Sequence, residues 1–354
     1  MSLKQGTALL QQEFDGWDGP YVEQDVYGTV EPAEIMAMLE RFCVRELGAS
    51  IAGHHFYAVS VSSVHGVRLV DGRDVVIKVR RPAELNPDMP FTRAALTDIV
   101  RCMGRLADEG YPCPRPLAGP VEVGLGLATA EELMERGAKP DGFDPRDRER
   151  MAWELARLVA ILRVQVPTLE GLTFRPLAPD RLYPTPHSPI FDFEATGAGA
   201  EWIDALAHRA RALDSNEGPL VLGHYDFRVE HLRFDEGKLV AVHDWDSLMV
   251  GPETHVLAVA AHGHTADWSQ QERRNVPTSE AMSGFIEDYE AARGAAFTPG
   301  ERSVLLAHLV FTLCYSARCE HAGARPGERI PEDGFRALVR DDGERLLAAA
   351  QALR

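Results

Sequence analysis

The 354-residue chain has few cysteines, a deficit of positive charge and no long apolar run, and each shortage excludes something. Its five cysteines, Cys43, Cys102, Cys113, Cys314 and Cys319, are scattered and never form a CxxC pair. Neither a disulfide framework nor a cysteine-based zinc site is implied. Lys and Arg total 37 against 54 Asp and Glu, a formal net charge of −17. That balance argues against a nucleic-acid partner, because such binding rests on basic side chains that neutralise phosphates. No apolar stretch approaches the roughly 20 residues needed to span a bilayer. The opening MSLKQGTALLQQEFDGW lacks the apolar core of a signal peptide. A reduced, cytoplasmic protein that binds neither nucleic acid nor membrane is the expectation.

What is present is enough apolar material, 45% of residues, for one large domain or two lobes. Residues 1–50 read as an N-terminal extension, without clear period up to residue 30. A leading helix then follows, with Thr29 as a cap, Pro32 in the first turn and Ile35, Met38, Leu39 and Phe42 at helical spacing. Residues 51–133 read as a β-rich lobe. FYAVSVSSVHGVRLV and VVIKV are strands around an Asp71-Gly72 turn, and a helix over Phe91–Glu109 ends at Gly110 ahead of two prolines. Alternating strands over Pro116–Leu127 lead into LATAEEL. A loop with Gly137, Pro140, Gly142 and Pro145 then marks a boundary. Residues 134–354 read as a mainly helical lobe with one hairpin, giving an α+β chain.

That hairpin lies in LVLGHYDFRVEHLRFDEGKLVAVHDWDS, residues 220–247. Asp226 follows one apolar run, Asp244 follows another, and Asp235–Lys238 reads as a tight turn between them. The pattern sets one carboxylate at each end of a hairpin, as a base and a metal ligand would require. Lys78, inside VVIKV, is read either as a solvent-facing strand residue or as a cation that grips phosphates. The polar segment before it offers the hydroxyls and N–H groups of Ser62 and Ser63 to the same phosphates, although it is not a glycine-rich loop. Asp192 and Glu194 in FDFEAT are candidates for contacting a substrate, or simply part of a proline-rich surface segment.

Phosphoryl transfer asks for few groups: a base or orienter for the attacking hydroxyl, a carboxylate-held metal and a cation on the nucleotide. With those groups present, HYDFRVEH (His224–His231) resembles the HxDxxxxN loop of the aminoglycoside phosphotransferase and choline kinase-like family. VHDWD (Val242–Asp246) resembles that family's metal-binding segment. The likeness runs through VVIKV, GYPCPRPL and FIEDYEAARG and covers most of residues 56–319.

The resemblance implies a two-lobed protein-kinase-like fold, with a β-rich N-terminal lobe, a mainly helical C-terminal lobe and ATP between them. It implies Asp226 as the catalytic base, Asp244 as a ligand of Mg²⁺ and Lys78 on the α- and β-phosphates. Ala128 and Ala130 of LATAEEL would meet the adenine through the backbone, and His224 would order the loop. His231 stands at the family's second metal-ligand position, in place of its asparagine. Asp98 is the nearest match to the acid that partners the lysine, with Glu84 earlier in the chain, and His255 stands where the family often has an aspartate. A protein kinase is disfavoured, since DFG- and APE-type segments are missing.

Two readings follow. One is an ATP-dependent kinase that phosphorylates a hydroxyl of a small molecule, for which the acidic balance hints at a cationic acceptor. The other is a kinase-like nucleotide- or metabolite-binding protein whose turnover is weakened at His231.

Overall fold

The computed structural model describes residues 2–15, 20–59, 62–81, 91–186, 188, 190–216, 218–270, 275–324 and 329–354. They form two compact units, residues 1–135 with 169–172, and residues 136–168 with 173–354.

The first unit is built on a five-stranded antiparallel sheet. Its strands are β1 (Ile51–Val59), β2 (Ser62–Leu69), β3 (Asp74–Arg80), β4 (Pro116–Val123) and β5 (Gly126–Glu132), in the spatial order β1-β2-β3-β5-β4. Asp71 and Gly72 make the β2–β3 turn. Gly72 takes φ 89°, and the Asp71 carboxylate accepts the Arg73 N–H at 3.1 Å. Because strand side chains alternate, the register sorts the sheet into two faces. Val67, Leu69, Val75, Ile77, Val79, Ala128 and Ala130 face an apolar core shared with Ile35, Leu39 and Phe42. Ser62, Lys78, Arg80, Thr129 and Glu131 fall on the other face.

Helix α1 (Ser2–Phe14), α2 (Tyr21–Tyr27) and α3 (Pro32–Phe42) belong to this unit. The first two carry no strong period: α2 is only seven residues long, and α1 buries Leu10 against the sheet beside a glycine. A Cβ at Gly6 would stand 2.5 Å from the His54 ring, so α1 packs on β1 at a distance only glycine permits. The cap of α3 is Glu31 rather than Thr29; the Thr29 hydroxyl instead accepts the Glu31 N–H at 3.1 Å. Helix α4 (Arg93–Asp108) starts at Thr92, whose hydroxyl accepts the Ala95 N–H, and Gly110 (φ 76°) turns the chain just beyond it.

The second unit holds α5 (Pro145–Arg163), α6 (Glu201–Leu213), α7 (Glu253–Gly263), α8 (Ser279–Arg293), α9 (Pro299–Gly323) and α10 (Phe335–Ala352). Its hairpin is β7 (Leu232–Asp235) with β8 (Lys238–Val242), closed by Glu236 at φ 48° and Gly237 at φ 75°. Two consecutive positive φ values match the right-handed twist of the flanking strands. The apolar run before Asp226 is β6 (Leu220–His224). It pairs with a strand the sequence reading did not anticipate, β9 (Leu248–Pro252). β9 has five residues with no alternation, so it gave no periodic signal. The β6–β9 pair brackets the hairpin and carries both carboxylate loops at its ends.

Candidate active site

The second unit holds the tighter cluster. His224 ends β6 fully buried, and its ring bridges the two acidic loops. Its Nδ1 accepts the Asp226 N–H at 3.2 Å, and its Nε2–H donates to the His243 carbonyl at 2.9 Å. Only the neutral tautomer with the proton on Nε2 satisfies both partners. Burial agrees, lowering the imidazole to about 4. The loop is held from its other side too. The Val229 N–H bonds the His264 carbonyl at 3.1 Å, and the His243 N–H bonds the His231 carbonyl at 2.8 Å.

The Asp226 carboxylate is gripped at both oxygens. Arg228 Nη1 lies 2.5 Å from Oδ1, and His231 Nε2 lies 3.0 Å from Oδ2. The same guanidinium reaches Glu230 Oε2 through Nη2 at 2.9 Å, and Glu230 also accepts the Trp268 N–H at 3.3 Å. Burial works to raise the Asp226 carboxyl, but Arg228 and His231 hold it below the usual carboxylate value. Asp226 is therefore an ionised acceptor with a fixed direction.

Asp244 takes φ 58° and ψ 51°, a left-handed conformation that aspartate tolerates better than most residues. It enters the single turn Trp245–Ser247. Trp245 anchors that turn, fully buried, with its indole N–H on the Val242 carbonyl at 2.8 Å. The ligand atoms of Asp226, His231 and Asp244 all lie within 4.8 Å of one another. The two carboxylates suit a hard divalent ion that completes its shell with water and phosphate oxygens. His231 fits that ion less well, because imidazole prefers softer metals and its Nε2 already faces Asp226.

In the first unit, Lys78 is nearly buried on the polar face of the sheet. Its Nζ lies 3.7 Å from Glu131 Oε1 on the neighbouring strand. Arg80, one alternation further along β3, donates to Thr129 Oγ1 at 2.6 Å. Ser62 shares this face; its hydroxyl is buried and has no partner among the described residues.

Several expectations are corrected here. Ser63 lies on the core side of β2, where its hydroxyl bonds Tyr27 and His65 at 2.9 Å each, so it is not offered to a ligand. Ala128 and Ala130 do not sit in a connector. They lie in the middle of β5, paired with β3 on one side and β4 on the other, with their methyls in the core. Asp98 does not partner Lys78. Its Oδ2 accepts the N–H groups of Glu170, Gly171 and Leu172 at 2.9, 2.6 and 2.9 Å, and its Oδ1 pairs with Arg101 at 2.7 Å. Glu84 lies outside the described residues. Asp192 closes a turn, its Oδ1 accepting the Ala195 N–H at 2.9 Å. Arg228 was the site residue missed by sequence reading; its signal was a cation two positions after the candidate base.

Comparison with known proteins follows this geometry. The profile of the phosphotransferase enzyme family matches residues 62–304. No curated protein matches the sequence. Among solved structures, a provisionally named aminoglycoside phosphotransferase from Ralstonia eutropha JMP134 superposes with a TM-score of 0.54 at 14% identity. It covers 89% of this chain and 98% of its own. The amicoumacin kinase hAmiN, in complex with AMP-PNP, Ca²⁺ and Ami, has a TM-score of 0.55 at 10% identity, over 90% of this chain and 95% of its own. The macrolide 2′-phosphotransferase MphH of Brachybacterium faecium has a TM-score of 0.52 at 18% identity, over 82% and 99%. At such identities these likenesses show the fold: an α+β, kinase-like chain with a β-rich N-terminal unit and a mainly helical C-terminal unit.

Proposed function

The chain belongs to the phosphotransferase enzyme family, and on that premise we propose that it moves the γ-phosphoryl group of ATP to a hydroxyl of a small molecule. The observation that carries the reading is Asp226, ionised, aimed by Arg228 and His231, with Asp244 beside it. In this role Asp226 accepts a hydrogen bond from the acceptor hydroxyl and takes its proton as the bond to phosphorus forms. Lys78, kept in place by Glu131, neutralises phosphate oxygens of the nucleotide, and the Ser62 hydroxyl, without a partner among the described residues, is a donor for the same group. Asp244, with Asp226 close by, would hold a divalent ion, Mg²⁺ by its oxygen donors, which when bound neutralises phosphate charge. Most of the rate acceleration then comes from positioning and fixed charge.

The acceptor is taken to be a hydroxylated small molecule, and the net charge of −17 favours a cationic one. The same acidity disfavours nucleic acid. Among the described residues no helix is long and apolar enough to cross a membrane. With five free cysteines, a reducing cytoplasm is the compartment that fits. A second reading, a kinase-like binding protein with weakened turnover, is favoured by one observation: an imidazole, not an amide, contacts Asp226.

The test is metal-dependent turnover of ATP over a panel of hydroxylated acceptors, with Asp226→Asn as control. The kinase reading expects turnover that Asp226→Asn lowers by roughly 10²–10⁴-fold. Nucleotide binding without any turnover in the parent protein supports the second reading.

A further inference from the structure

A second cluster of ligating groups lies outside the machinery just described. Asp214 follows the last residue of α6, His255 is the third residue of α7, and His308 lies in α9. The carboxylate is shared between the two rings. Oδ1 is 2.8 Å from His255 Nε2, and Oδ2 is 2.7 Å from His308 Nδ1. The rings stack almost parallel, 3.7 Å between centroids and 6° between planes, so both present a nitrogen to the same side. All three side chains are largely shielded, with 11%, 6% and 15% of their surface exposed in chain order.

The three donors converge. The ligand atoms of Asp214, His255 and His308 all lie within 4.8 Å of one another, a spacing that one ion can bridge. Among the described residues no lysine or arginine pairs with the Asp214 carboxylate, so the charge facing the two rings is left for a cation.

We propose that Asp214, His255 and His308 form a binding site for one borderline divalent metal ion of the zinc type. Two imidazole nitrogens and a carboxylate oxygen are the donor set such an ion prefers, and Mg²⁺ or Ca²⁺ would prefer oxygens alone. Three protein ligands leave one position for water. The ion ties the end of α6 to α7 and α9 and acts on the fold of the second unit. The site is independent of the phosphotransfer reading.

The experiment uses the full chain, stripped with a chelator and dialysed against Zn²⁺, with metal content and Tm as readouts. The expected result is one Zn²⁺ per chain, retained in a His231→Asn/Asp244→Asn protein and raising Tm in both. In His308→Gln, which keeps the bulk of the side chain, affinity should fall on the order of a hundredfold. Absence of bound Zn²⁺ at about micromolar free metal, or equal retention by His308→Gln, overturns the proposal. X-ray absorption on the zinc-loaded parent gives a check that needs no variant. Two imidazoles in the metal shell support the site, and one or none rejects it.

Discussion

His231 Nε2 lies 3.0 Å from Asp226 Oδ2, so the residue at the family's second metal-ligand position turns its donor to the proposed base. His231→Gln keeps an N–H donor of similar reach to Nε2 and should leave turnover within about threefold, with metal preference unchanged. His231→Ala removes the donor. Losing a hydrogen bond to a charged group costs about 1.5–3 kcal/mol, so kcat should fall roughly tenfold or more. Steady-state kinetics with Mg²⁺ and Mn²⁺ decide it. A switch of metal preference in His231→Gln would mean that the imidazole is a metal ligand.

Arg228 should matter as much as the histidine. It joins Asp226 to Glu230 through one planar guanidinium, a geometry that lysine cannot copy. Arg228→Lys is expected to lower kcat while leaving the nucleotide KM nearly unchanged. An equal loss in both parameters would assign Arg228 to nucleotide binding instead.

The pH behaviour has two parts of known sign. Arg228 and His231 hold Asp226 below the ordinary carboxylate value, so the proposed base stays ionised across the neutral and mildly acid range. The fold gives way earlier. His65, His224 and His264 are buried and neutral, lowered from 6.5 to about 3, 4 and 4. Below pH 6.5 the unfolded chain takes up protons at these rings and the folded chain does not. Stability should therefore drop by about 1.4 kcal/mol per pH unit for each ring down to about pH 4. Urea unfolding at pH 7, 6 and 5 measures the slope. An acid limb in kcat/KM near neutrality, at constant fold stability, would point to a base other than Asp226.

In the first unit, the buried Asp98 carboxylate accepts three consecutive N–H groups, at Glu170, Gly171 and Leu172. Each donor left bare costs about 1–3 kcal/mol, so Asp98→Ala should lower Tm by several degrees and loosen residues 169–172. Gly171→Ala should act likewise, because its Cβ would stand 2.1 Å from the Ala95 nitrogen. Hydrogen exchange at 169–172 reads both. Unchanged protection in either variant would refute the assignment.

Much of this was legible in the chain. Asp226, Asp244 and Lys78 could be picked out because each is a charged residue set against an apolar strand, a pattern the period of a strand makes visible. The α4 helix shows in its apolar stripe and in Gly110 beyond its end, and its cap at Thr92 came only with the structure. β9 and α2 stayed hidden because short elements repeat too few times to show a period, and α1 because Gly6 and its polar residues break the apolar stripe. Ser62 and Ser63 are alike in sequence and opposite in structure. Only the β2–β3 register decides which hydroxyl joins Lys78 and which is sealed beneath the sheet.

The linear chain suffices for its class, for the order of its two units and for the types of residue that could run phosphoryl transfer. These depend on composition and on local periodicity, which are properties of neighbours along the chain. Which acid meets Lys78 and that Asp214 gathers two histidines depend on residues far apart in the chain, 41 and 94 positions in the second case. Such contacts are set by how strands register and helices pack. No local pattern encodes them, because their energy comes from burial shared among segments that meet only when the chain has folded.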